Sequence, residues 1–232
     1  WENFTKAWQL LDFPKCFFNS FIVAIAVTAL TIFLCSLAAY VFTRLEFKGR
    51  NIVFILYLST MMIPITVRLI PSYNLCRNLN MLDTYMGMIL PQVAWSIPFG
   101  TFLMRQFYMG IPKQLDEAAK IDGATKWQTL TRVTIPNIMP SITICLFLTI
   151  TNGFKLFDQN LALTNGQPFE QLKDGSVIKT TEMLALNIYN TFYGQSLTGK
   201  GVAQAKAVIF FILVAGISII QLKATRSKEV QQ

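Results

Sequence analysis

The chain has 232 residues, of which 53% are hydrophobic and 14% charged, with a net charge of +8 and no histidine. Soluble domains carry roughly 25% charged residues, and the charges here gather into short stretches separated by long apolar tracts. That pattern excludes an ordinary soluble domain, whose elements would alternate polar and apolar faces. It also argues against a nucleic-acid binder, because no basic cluster is interleaved with stacking aromatics.

A hydrocarbon core about 30 Å thick needs about 20 helical residues to cross it. Residues 17–43 carry no charge between Lys15 and Arg44, and residues 51–67 none between Arg50 and Arg68. Further uncharged tracts cover residues 84–104, 133–154 and 207–222. The last reaches spanning length if Lys206 snorkels to the interface or if its helix starts near Gly201. Five transmembrane helices in an all-α polytopic membrane protein are therefore predicted, as one domain over residues 1–232. Proline at 64 should kink the second span, and Pro91, Pro98 and Gly100 should bend or locally break the third. Residues 106–136 read as a polar, helical connection. Residues 158–200 hold two turn pairs, Asn165-Gly166 and Asp174-Gly175, followed by a helix over 180–193 with Met183, Leu184, Leu186, Ile188 and Tyr189 as its apolar positions. The chain opens on Trp1 rather than Met, so it is expected to begin inside a longer protein, and no cleavable signal peptide is visible.

Orientation follows from Lys and Arg in the connections. With the N-terminus outside, short inner segments hold 11 basic residues and longer outer ones hold 8. The bias favours a cytoplasmic C-terminus, and it makes the net charge a matter of topology and lipid headgroups. The four cysteines, Cys16, Cys35, Cys76 and Cys145, are scattered without a CxxC, so small apolar packing residues are expected rather than a metal site or a disulfide framework. Residues 194–201 match GxxxxGK but place Gly201 where Ser or Thr should bind Mg²⁺, so ATP is expected to be handled by a partner.

The inner connection carries the most information. Pro112 suits a first helical turn, residues 116–120 are mostly good helix formers, and Gly123 can take the positive φ that ends one helix and starts another. Leu115, Ala118, Ala119 and Asp122 form a stripe on that helix. A helix–Gly–helix of this kind suits docking in another protein's groove, or lying as an amphipathic linker at the headgroups.

The same residues resemble the EAA signature of binding-protein-dependent importer permeases. Glu117-Ala118-Ala119, Gly123, Val133 and Ile135-Pro136 stand at its spacings. The wording Ile111-Pro112 and Ile121-Asp122-Gly123-Ala124 is similar to the carbohydrate-importer branch, that of the maltose and multiple-sugar permeases. The resemblance extends over most of the chain, including Ile70-Pro71-Ser72-Tyr73 and residues 102–112. It implies a six-helix permease fold with one span before Trp1, and a cytoplasmic coupling helix within residues 106–136 seated in a cleft of an ATPase subunit. It implies that Glu117 makes polar contacts there, that Ala118 and Ala119 pack closely, that Asp122 lies on the docked stripe and that Gly123 sets the turn. It implies a sugar importer of the bacterial inner membrane, built with a second permease subunit, two ATPase subunits and an external solute-binding protein that meets residues 158–200. No cofactor is expected on this chain; ATP and Mg belong to the ATPases, and no catalytic residue or metal ligand is assigned. Residues 151–158 and the tail from Arg226 depart from the second-subunit pattern, leaving both permease positions open.

Sugar recognition needs polar groups for hydroxyls and aromatic faces for the ring. Tyr57, Thr60, Asn152, Phe154 and Asp158 supply those types, although helix–helix hydrogen bonding and packing are the stronger explanation for them. Two rivals lie outside this reading. An ion-coupled secondary transporter would place carboxylates or histidine within spans, and a membrane-embedded enzyme would need a catalytic set that the tracts lack. Inside the family, a non-sugar solute is the alternative.

Overall fold

The computed structural model describes residues 2–9, 13–171, 177–194 and 199–227. The elements in chain order are α1 (Glu2–Gln9), α2 (Phe13–Arg44), α3 (Arg50–Ser59), α4 (Ile65–Asn78), α5 (Tyr85–Gly110), α6 (Lys113–Ile121), α7 (Lys126–Thr129), α8 (Ile135–Phe154) and α9 (Asp158–Leu163). A small antiparallel hairpin follows, β1 (Phe169–Gln171) with β2 (Val177–Lys179), registered Phe169 to Lys179. It flanks the Asp174-Gly175 pair, which itself lies outside the described residues. The chain ends in α10 (Leu184–Tyr193) and α11 (Gly199–Arg226). The fold is all-α apart from this hairpin. Four helical stretches are long and apolar enough to cross a membrane: Phe13–Arg44, Tyr85–Gly110, Trp127–Phe154 and Gly199–Arg226. Arg50–Met62 with Ile65–Asn78 makes a fifth if this pair counts as one broken span.

Proline explains where the second tract stops, and its neighbours explain why the third does not. Ile63 before Pro64 is extended, at φ −76° and ψ 118°, as the residue preceding a proline tends to be. The helix therefore ends in a 3-10 turn at Thr60–Met62 and restarts at Ile65. Of the bend or local break expected from Pro91, Pro98 and Gly100, the break is absent: α5 runs on through all three. Pro91 cannot donate to the carbonyl of Gly87 one turn earlier, but the Cys76 thiol does, at 3.9 Å. Gln159 Nε2 donates to the next carbonyl, Met88, at 2.9 Å. Cys76 of α4 thus supplies the donor that Pro91 withholds, which is how membrane helices tolerate proline, and Gln159 of α9 adds a bond to the neighbouring carbonyl.

The chain divides into two compact units. One holds residues 1–28, 64–93 and 149–218, and the other holds residues 29–63, 94–148 and 219–232, so the divisions fall inside the long helices. In the first unit, Phe13, Cys16 and Leu184 form a buried cluster with Phe17 and Phe210 packed against it. Polar side chains fix the segment leading into α10. Asn19 Nδ2 donates to the carbonyls of Thr180 and Glu182, both at 2.9 Å, and Tyr85 Oη donates to Asn19 Oδ1 at 2.6 Å. Asn160 Nδ2 donates to the Thr181 carbonyl at 3.0 Å while its Oδ1 accepts Met183 N–H at 3.0 Å. Leu184 N–H donates to Ser20 Oγ at 2.9 Å. Residues 180–183 therefore precede the helix rather than belong to it, and Met183 is its cap.

In the second unit the core is Cys35, Ala39, Met104, Tyr108, Ile111, Ile138 and Cys145, from α2, α5 and α8. A Cβ on Gly100 would stand 2.6 Å from Cys35 Sγ, so the glycine is what lets these two helices approach. All four cysteines are buried thiols that pack as small side chains. Elsewhere α2 exposes Phe18, Ile22, Phe33 and Leu37, the outward apolar face that a lipid-facing helix presents.

Candidate functional site

Local rules account for the helix–turn–helix of the inner connection. Pro112 stands just before α6, its carbonyl accepting Leu115 N–H at 3.2 Å. At the other end Gly123 lies at φ +75°. Asp122 N–H donates to the Ala118 carbonyl and Ala124 N–H to the Ala119 carbonyl, both at 2.9 Å, closing the helix around a left-handed glycine. α7 then opens with a reciprocal cap that sequence reading missed: Gln128 N–H donates to Thr125 Oγ1 at 3.3 Å, and Thr125 N–H donates to Gln128 Oε1 at 2.8 Å. The Thr-x-x-Gln spacing was the available signal. From Leu130 to Thr134 the backbone widens to π geometry before α8, with Ile135 N–H donating to the Leu130 carbonyl.

Of the expected stripe, Leu115, Ala118 and Asp122 are exposed and Ala119 is half-buried, while Glu117 and Gly123 are also exposed. Ile121 is 86% and Trp127 71% exposed. The segment thus holds apolar side chains away from its own core. It is tied down by its remaining face: Arg44 Nη2 at the end of α2 lies 3.4 Å from Asp116 Oδ2 and donates to the Ile111 carbonyl at 3.3 Å. Neither Arg44 nor Asp116 was singled out from sequence, because they stand 72 residues apart and only the fold pairs them.

The sugar-contact candidates separate. Tyr57 and Thr60 belong to the second unit; Asn152, Phe154 and Asp158 belong to the first. Tyr57 Oη shares a 3.0 Å hydrogen bond with Thr101 Oγ1, and Thr60 Oγ1 donates back to the Tyr57 carbonyl at 2.8 Å. Phe154 is 1% exposed and stacks on Phe17 with centroids 6.2 Å apart, so its ring faces serve packing. Asn152 is exposed near the end of α8, and Asp158 is exposed in the first turn of α9.

Of the two ways the last span was expected to reach spanning length, the structure shows the second: α11 starts at Gly199, near Gly201, and Lys206 does not snorkel. Lys206 is 4% exposed inside α11, with Nζ donating to Asn187 Oδ1 at 2.8 Å and Thr191 Oγ1 at 2.9 Å. Asn187 Nδ2 in turn donates to Glu182 Oε2 at 3.0 Å. Glu182, itself 4% exposed, also receives Asn190 Nδ2 and the Lys179 ammonium, the latter at 3.3 Å. A buried cation and a buried carboxylate are thus bridged by one amide, as burial of charge requires. A lone lysine in an apolar tract was the visible signal. For the GxxxxGK stretch, residues 195–198 lie outside the described residues, and the element ahead of it is α10 rather than the strand a phosphate loop needs.

Comparison with known proteins decides the family. Residues 31–226 match the binding-protein-dependent transport system inner membrane component. The chain belongs to this family. Among curated relatives, this inner membrane component is 41% identical over 147 residues to a probable starch degradation products transport system permease, AmyD, of Thermoanaerobacterium thermosulfurigenes, covering 63% of this chain and 47% of that one. It is 30% identical over 213 residues to a probable ABC transporter permease, YurM, of Bacillus subtilis, covering 92% and 69%. Against the trehalose/maltose permease MalG of Thermococcus litoralis it is 35% identical over 158 residues, covering 67% and 57%. The chain therefore spans about half to two-thirds of the length of these relatives, 47% to 69%. Its backbone is similar to a bacterial ABC transporter that imports alginate, with a TM-score of 0.78 at 19% identity over 95% of this chain and 78% of that one. That likeness shows the fold.

Proposed function

We propose that this inner membrane component is a permease subunit of an ATP-binding-cassette importer that moves a sugar or oligosaccharide into the cell by alternating access. The observation that carries the coupling role is the α6–Gly123–α7 segment, which keeps Leu115, Ile121 and Trp127 exposed while Arg44 and the α2 end hold its other face. An apolar face without an intrachain partner is a docking surface. Glu117, Ala118, Ala119, Asp122 and Gly123 stand on or beside it and would meet an ATPase subunit. ATP and Mg²⁺ are bound by two such subunits, a second permease completes a heterodimeric pathway, and an external solute-binding protein delivers the sugar to residues 158–200. Closure of the ATPases would push the docked segment and rock the spans. This chain itself breaks no bond in the substrate. The C-terminus lies in the cytoplasm, on the side with more basic residues. Relatives named for starch products, trehalose/maltose and arabinooligosaccharides support a carbohydrate. Tyr57, Thr60, Asn152, Phe154 and Asp158 remain the residues proposed along the pathway, Phe154 through its packing.

The test is sugar-stimulated ATP hydrolysis and uptake by the reconstituted complex, with wild type beside Glu117→Ala combined with Gly123→Pro. ATP turnover out of step with uptake, in a complex that stays assembled, is the expected result. Normal transport by the double variant would sink the docking reading. One observation favours a second reading: a relative from Yersinia enterocolitica, 33% identical over 171 residues, is a permease for sn-glycerol-3-phosphate. Glycerol-3-phosphate belongs in the same substrate panel, and ATPase stimulation by it alone would replace the sugar.

A further inference from the structure

In the second unit a cleft of about 360 Å³ opens where α2 ends, α3 begins and α5 nears its end. Arg44, Arg50 and Arg105 line it, together with Glu46, Phe42 and Tyr108. Three guanidiniums thus share one small space with a single lining carboxylate. Arg44 is engaged by Asp116 and the Ile111 carbonyl. The contacts described for the other two are to neutral groups. Arg50 Nη1 donates to the Leu45 carbonyl at 3.3 Å. The Arg105 guanidinium lies 4.3 Å from the Phe54 ring centroid, and its Nε is buried without a hydrogen-bond partner among the described residues. A guanidinium carries five N–H donors, and its planar fork matches a phosphate two bonds at a time. The ring beneath Arg105 restrains the fork, so less freedom is lost when an anion arrives.

The apolar surface nearby is exposed: Met109 lines the cleft, and Phe47, Ile52 and Val53, close to Arg50 in sequence, are exposed as well. Inorganic phosphate would satisfy the arginines and leave those apolar side chains in water. A phosphate attached to acyl chains satisfies both, and arginines at the ends of apolar spans stand where headgroups lie.

We propose that this cleft binds the phosphate of an anionic phospholipid headgroup, through Arg50 and Arg105, with the acyl chains lying along the exposed apolar residues. It goes beyond the transport reading and needs only a chain that spans a membrane. Failure of the sugar assignment would leave it intact.

The test uses the full-length protein purified in detergent micelles supplemented with equal phosphatidylglycerol and phosphatidylcholine. Native mass spectrometry counts the retained lipids, and tryptophan fluorescence follows thermal unfolding with phosphatidylglycerol, phosphatidylcholine or inorganic phosphate added singly. Wild type should retain phosphatidylglycerol preferentially and gain thermal stability from it alone. Arg50→Gln should lower that retention about fivefold, and Arg50→Gln with Arg105→Gln by roughly the square of that factor, from about 1 kcal/mol per basic residue at an anionic surface. Arg50→Gln alone serves if the double variant fails to fold, since the only side-chain bond described for Arg50 is to a neighbouring carbonyl. Unchanged phosphatidylglycerol retention in Arg50→Gln overturns the proposal. So does equal stabilisation by inorganic phosphate, which would make this a free-anion site, or equal retention of the two lipids by wild type.

Discussion

Two glycines show how differently a missing Cβ can be used. Gly123 sits at φ +75° with nothing within 4 Å of where a Cβ would lie, so the space is open and the backbone alone demands glycine. Gly153 has ordinary φ, but its Cβ would stand 2.8 Å from Ala24 Cα, so the packing demands it. Gly123→Ala is expected to cost about 1 kcal/mol through the left-handed backbone, and Gly153→Ala about 1–3 kcal/mol through overpacking. Thermal unfolding in micelles should therefore rank Gly153→Ala as the more destabilised, with altered ATPase coupling confined to Gly123→Ala. The buried network around Glu182 gives a second comparison. Glu182→Ala strands Asn187, Asn190 and the chain of bonds to Lys206 in a dry interior, a loss on the order of 3 kcal/mol. Lys179→Ala removes a partly exposed partner and should cost under about 1 kcal/mol. Equal midpoints for the two variants would contradict the bridging role of Asn187.

At the level of elements, the α6–Gly123–α7 segment is anchored on one face and open on the other, and the anchor can be cut separately. Arg44→Ala removes both the 3.4 Å contact to Asp116 and the bond to the Ile111 carbonyl. A charge-assisted bond of this sort is worth about 1.5 kcal/mol, so amides of α6 should exchange with deuterium about tenfold faster in Arg44→Ala, while those of α10 stay unchanged. Unaltered exchange in α6 would mean that the Gly123 and Pro112 ends hold the helix without the arginine. This anchor illustrates what was and was not legible in the sequence. The α6–Gly123–α7 shape could be read locally, because Pro112, the helix formers and a positive-φ glycine act within one turn of themselves. The span positions could be read from uncharged runs, because length and hydropathy are also local properties. Partners distant in sequence could not. Pro91, Pro98 and Gly100 were expected to bend or locally break the third span, and the tertiary approach of Cys76 to the Gly87 carbonyl, which Pro91 leaves without an N–H donor, could not be read locally. The burial of Lys206 was hidden for the same reason: its partners Asn187 and Thr191 lie on another helix, with no periodic signal linking them to α11.

For the molecule as a whole, orientation in the membrane decides whether the exposed α6 face and the basic C-terminal turn meet the same aqueous compartment. In the proposed orientation, with 11 basic residues in short inner segments against 8 in longer outer ones, both would meet the cytoplasm. The cysteine content makes this directly measurable. Cys16, Cys35, Cys76 and Cys145 are all buried, so a bulky, membrane-impermeant maleimide should find little to label in the wild type. Single substitutions at exposed positions then report the side on which each lies. Glu117→Cys in α6 and Ser227→Cys after α11 should be labelled in inside-out vesicles and protected in right-side-out ones. Tyr193→Cys at the end of α10, 69% exposed, should show the reverse pattern. Labelling of Glu117→Cys and Tyr193→Cys from the same side would require an odd span fewer between them, which would mean that α8 does not cross. Labelling of all three from the opposite sides would invert the molecule, place α6 away from any cytoplasmic ATPase, and remove the physical basis for coupling through Gly123.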